Sequence, residues 1–126
     1  MKRLIYALII LMFISVICLV GSILICQYCE ESREELRFCA ALSDEQDWEQ
    51  AQMQTQELKS NFEKREPVMA IFVDHKLLDS INELLSTLPV YANKEKDADF
   101  EAVCAQIDII LDRISRMQSI KIENFY

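Results

Sequence analysis

Few side chains in this sequence belong to the types that perform chemistry. His75 is the single histidine, with Asp74 beside it and Asp79 one helical turn on. Such a group can act as a general base or as a metal ligand. A base needs a nucleophile and an oxyanion donor, and no glycine-rich or serine-centred motif supplies them. A metal needs at least three ligands, and the helix holding His75 offers Asp79 and, nearby, Asn82 or Glu83. The reading is therefore a packing histidine on an apolar helix stripe, bonded to a carboxylate or to another helix. Because histidine titrates near neutrality, the functional variant of that reading is a pH sensor.

The cysteines fall at 18, 26, 29, 39 and 104. Cys26 and Cys29 form a CxxC pattern, but it lacks the strand-to-helix setting of a redox site and a second ligand pair for zinc. In apolar surroundings a thiol acts as a small hydrophobe. Cys39 and Cys104 could pair if this part of the chain is exported. Trp48 has two readings, a partner anchor and the main plug of a thin helix face, and the second is favoured by how few other apolar residues its helix carries. No loop alternates carboxylates around a central glycine, so the acidic surface reads as solvated and not as a calcium site. No catalytic residue, cofactor or metal is expected.

The elements that must position these groups are helices. The 126 residues include one Gly and two Pro, too few for a turn-rich β fold, and Ala, Leu, Glu, Lys, Gln and Met dominate. The chain carries −8, and Lys2 and Arg3 contribute +2, so residues 4–126 carry −10. An acidic chain without a basic cluster repels phosphate backbones, which excludes nucleic acid as a partner class, and anionic lipid repels it too.

Leu4 to Cys29, LIYALIILMFISVICLVGSILICQYC, contains no charged side chain. As a helix it reaches roughly 39 Å, against a hydrocarbon core of about 30 Å. In lipid the backbone must satisfy its own hydrogen bonds, so the run predicts a transmembrane helix. Lys2 and Arg3 place the amino end in the cytoplasm and the rest outside. The apolar run continues past Val20, Gly21 and Ser22, which favours an uncleaved anchor over a signal peptide. The predicted organisation is an anchor over 1–29, a juxtamembrane helical connector over 30–42 and an acidic helical bundle over 43–126.

Within that bundle, Ser43 to Gln46 matches a capping box, predicting a break near 42–43 and a helix over about 44–64 with Trp48, Ala51, Thr55, Leu58 and Phe62 on its apolar side. Glu66 and Pro67 predict the start of the next helix. Its stripe is Val68, Ile71, Phe72, His75, Leu78, Ile81, Leu85 and Leu88, ending near Pro89 to Tyr91. A polar connection over 93–99 follows, with Asp97 and Asp99 as caps for a last helix. That helix aligns Phe100, Val103, Cys104, Ile107, Ile110, Leu111, Ile114 and Met117. The last two helices should pack antiparallel, with the Trp48 helix closing the side, and Ile120, Ile122, Phe125 and Tyr126 folding back. The fold class is all-α, a transmembrane helix followed by a small antiparallel three-helix bundle.

The order Asp47 to Ala51, Phe62, Pro67, Phe72 to His75, Leu78-Asp79, Ile81, Leu88, Tyr91 and Ile122 to Phe125 resembles one small bacterial family. It is known only as domain of unknown function number four thousand three hundred and sixty-three. Phe62 stands where that family often has a second tryptophan. The resemblance implies a single membrane helix at the start, an accessory role beside another membrane protein, and Phe72 and Tyr91 as positions of note beside Trp48, Asp74, His75 and Asp79. It also implies an anaerobic setting, which disfavours a Cys39–Cys104 bond. The expected function is that of a non-enzymatic accessory or scaffold subunit of a membrane partner, with a membrane-tethered sensor of pH, metal or ligand as the alternative.

Overall fold

The computed structural model describes residues 1–124, with side chains placed through Ile120. Four helices account for almost all of them: α1 (Lys2–Asp44), α2 (Trp48–Phe72), α3 (His75–Asn93) and α4 (Asp97–Asn124). No strand occurs among the described residues, as a composition poor in turn residues requires. Helix α1 packs against α2 and α4, and α3 packs against the same two. Ser43 to Asp97, Arg33 to Asp108 and Cys26 to Ser115 pair α1 with α4 in descending register, so those helices are antiparallel.

Helix α1 is uninterrupted for 43 residues. Its second half carries Ile25, Cys29, Leu36, Cys39 and Leu42 into the core. That corrects the predicted division of the chain. The segment over 30–42 is no connector but part of the core, and α1 contributes a fourth packed helix where the pattern predicts three. Tertiary packing also overrides the break at 42–43. Ser43 is fully buried inside α1, and its hydroxyl donates to Asp97 Oδ1 at 3.1 Å instead of capping a helix.

The stop falls just past Ser43, where Gln46 turns left-handed at φ 59°. The amide of Asp47 donates to the carbonyl of Leu42, and that of Gln46 to Ser43, the two bonds of a Schellman ending. The same pair closes α3, with Glu95 at φ 55°, Lys96 donating to Tyr91 and Glu95 to Ala92. Asp47 then caps α2, its carboxylate accepting from the Gln50 amide at 3.4 Å.

Pro67 does not open a helix. It lies inside α2, which runs on to Phe72. Glu63, whose carbonyl loses its partner, and Pro67 are both exposed, which lets water take the place of the missing amide. The boundary is Val73, extended at ψ 144°, followed by Asp74, which caps α3 by accepting from the Lys76 amide at 3.1 Å. This break changes the helical phase. Leu78, Ile81, Leu85, Leu88 and Ala92 are buried as one stripe, whereas Ile71 is 74% exposed and His75 lies on the surface. Pro89 is absorbed within α3. In α4 the predicted stripe holds from Phe100 through Ile114, and Met117 is exposed.

Candidate functional site

The six residues singled out from the sequence separate into two groups at opposite ends of the bundle. At the end with the 45–47 and 94–96 turns, Trp48 is half-buried and meets Phe100 edge-on, centroids 5.8 Å apart. Tyr91 is half-buried against the same core. At the other end, Phe72, Asp74 and His75 surround the α2–α3 turn, and Asp79 is exposed one turn along α3. His75 is the first residue of α3 and exposed, not on the packed stripe where the periodicity puts it. The phase change at Val73 and Asp74 is the reason.

Cys26, Cys29, Cys39 and Cys104 lie at partly or fully buried positions of the bundle. Cys26 donates to the carbonyl of Ser115 at 3.7 Å, and Cys29, one turn on, is buried. Cys39 and Cys104 are buried free thiols, and burial pushes both up to about 12.

Two arginines make contacts between helices that their sequence setting does not show. Arg33 of α1 donates through Nε to Asp108 of α4 at 2.8 Å, with Asp112 and Glu30 at 3.5 and 3.3 Å. The hydrogen bond to Asp108 holds its guanidinium more firmly protonated than usual. Arg65 of α2 donates to Ser32 at 2.9 Å and to Glu35 at 2.7 Å, both on α1. These pairs join helices whose positions differ by 30 to 75 residues, which no local spacing reveals.

One acidic group was equally hidden. Asp44, Asp97 and Glu101 bring carboxylate oxygens within 4.8 Å of one another where α1 ends and α4 begins. The hydrogen bond to Asp44 and the charges of Asp97 and Asp44 raise the pKa of Glu101. All three are exposed.

A concave feature with a deeply buried polar side chain in its lining lies at the opposite end. Phe72, Val73 and Leu77 from the α2–α3 turn, with Ile114 and Met117 from α4, line a cavity of about 460 Å³, and Asp74 stands on its wall. Gln118 also lines it. That side chain is 3% exposed, and its Oε1 meets no donor among the described residues. A carboxamide oxygen left so is costly, roughly 1–3 kcal/mol, unless something supplies the bond. The ring of Phe72 lies over Gly21, where an added Cβ would collide with it. The cavity therefore opens at the level where α1 leaves the bundle. Ile120, predicted to fold back, is exposed beside the cavity on the continuing α4. The side chain of Ile122, with Phe125 and Tyr126, lies outside the described residues.

Beyond Gly21 toward the amino end, α1 is uncovered. Leu4, Ile10, Phe13 and Val20 are each more than half exposed, on a helix whose apolar stretch has a mean hydropathy of 3.1.

The fold defines an all-helical protein whose first helix is long, apolar at one end and packed at the other. The chain belongs to the family described as Domain of unknown function (DUF4363), whose sequence model matches residues 23–125. That match begins two residues after Gly21, so it covers the packed part of α1 and not the apolar stretch before it. No curated protein and no solved structure matches the chain.

Proposed function

We propose that this is a single-pass membrane protein, non-enzymatic, whose bundle is held at the bilayer surface as an accessory or scaffold subunit of a membrane partner. The observation that carries the reading is a contrast within one helix. Residues 4–20 are apolar and touch little else in the chain, while the rest of α1 is a wall of the core. Leaving so much apolar surface in water costs about 25 cal/mol per Å², a total that exceeds the stability of a domain of this size. Lipid removes that cost.

Residues 4–20 rise about 26 Å, slightly less than a hydrocarbon core of about 30 Å. The shortfall draws the near end of the bundle into the interface. Ile23, Ile71, Met117 and Ile120, all exposed, suit that depth. Lys2 and Arg3 favour an amino end in the cytoplasm. The sensor alternative gains support for a ligand only, through the cavity, since His75 stands exposed and far from the acidic group of Asp44 and Asp97.

Crosslinking and affinity purification of the tagged full-length protein from its native membrane tests this. The protein should resist alkaline extraction, dissolve in detergent and bring down one membrane protein in fixed proportion. Release by alkali overturns the anchor; recovery alone or only with itself overturns the accessory role. Exchanging residues 4–20 for an unrelated apolar helix should abolish capture if the pairing runs through lipid. If capture persists, the bundle makes the contact.

A further inference from the structure

The cavity beneath the α2–α3 turn combines three properties that point to one ligand chemistry. Its walls are apolar, from Phe72, Leu77, Ile114 and Met117. Its one deeply buried polar side chain, Gln118, holds an acceptor oxygen with no partner among the described residues. Its wall also carries a carboxylate, Asp74, of which one oxygen accepts from the Lys76 amide. An occupant that fits has an apolar chain for the walls and an N–H donor for the carboxamide, with positive charge for the carboxylate.

We infer that this cavity seats a bilayer lipid with a primary ammonium headgroup, of the phosphatidylethanolamine type. This rests on the membrane reading above, which puts the cavity mouth at headgroup depth. The ammonium donates to Gln118 Oε1 and faces Asp74, and an acyl chain lies along Phe72 and Met117. A choline headgroup carries no N–H donor and leaves Gln118 unpaired. A glycerol headgroup donates through hydroxyls but brings net negative charge to a chain that already carries −8. The cavity volume of about 460 Å³ holds part of one lipid and excludes a second.

The test places the full-length protein in nanodiscs of phosphatidylcholine, alone or doped with phosphatidylethanolamine or phosphatidylglycerol, and reads thermal unfolding and the lipid retained in native mass spectrometry. Phosphatidylethanolamine should raise the melting temperature progressively, and ever more gradually, as its fraction grows and be retained at one per chain. Gln118→Leu should cut that retention about tenfold, the worth of one hydrogen bond to a charged group, while melting in pure phosphatidylcholine stays the same or rises. Asp74→Asn keeps the cap on α3 and should narrow the preference over phosphatidylglycerol. Equal stabilisation by all three lipids, or retention unaffected by Gln118→Leu, overturns the proposal. Failure to enter any nanodisc overturns the membrane reading instead.

Discussion

Gly21 sets two effects against each other. Glycine inside a helix is worth about 1 kcal/mol less than alanine, yet a Cβ here runs into the Phe72 ring. Moving a half-buried ring costs about 1–3 kcal/mol, so Gly21→Ala should destabilise the protein despite the better helix former. In a Phe72→Ala background the collision is gone and the same change should stabilise by about 1 kcal/mol. Denaturant melts of the four proteins in detergent measure both signs. Cys39 and Cys104 make a second prediction. Burial, reinforced by Glu35 at Cys39 and by Cys39 at Cys104, raises each from the ordinary 9.0 to about 12. Between those values the folded chain keeps protons that the unfolded chain releases. Their contribution is thus whole below pH 9 and lost as pH climbs toward 12, about 1.4 kcal/mol per thiol for each pH unit. The Cys39→Ala/Cys104→Ala double variant should lose that slope when unfolding midpoints are compared from about pH 8 to about pH 10.5.

At the scale of elements, the turns at 45–47 and 94–96 each hold a non-glycine residue in the left-handed region, Gln46 and Glu95. Side chains there cost about 1 kcal/mol, partly offset by the looser unfolded state of glycine. Gln46→Gly and Glu95→Gly should each stabilise by about 0.5–1 kcal/mol in chemical denaturation. The helices themselves were legible in the residues, as were the buried stripes of α4 and the later part of α3. The boundaries were not, and for physical reasons. Pro67 resembles a helix start, but it and Glu63 lie on the exposed side of α2, where water can take the freed carbonyl and the helix runs through. Ser43 resembles a cap, but burial beside Asp97 gives its hydroxyl another partner. The first of these displaced the site as well: a stripe phased from Pro67 puts His75 in the core, and the break at Val73 leaves it outside. Gln118 gave no local signal at all, because it is buried where the α2–α3 turn, more than forty residues away in sequence, comes up against α4.

For the whole molecule, the division that counts falls near residue 21. A chain beginning at Gly21 keeps every buried side chain of α1 and should melt within a few degrees of the full protein, in plain buffer. A chain beginning at Ser43 loses Ile25, Cys29, Leu36, Cys39 and Leu42 from the core. At about 1.5–3 kcal/mol for each large side chain, that loss rivals the whole stability of a small domain, and the fragment should be unfolded by circular dichroism and hydrogen exchange. The ion pairs of α1 are no counterweight, since the partners of Arg33 are a third or more exposed and each contributes little.

The continuity of α1 also has a mechanical meaning. One rod joins the uncovered stretch to the far turn with no proline in its 43 residues, and its only glycine is clamped beneath an aromatic ring. The segment from Gly21 to Asp44 is an arm of about 36 Å, so a lean of about 10° in the uncovered stretch sweeps the distant end through about 6 Å. Whatever tilts one end of this protein works the other as a lever.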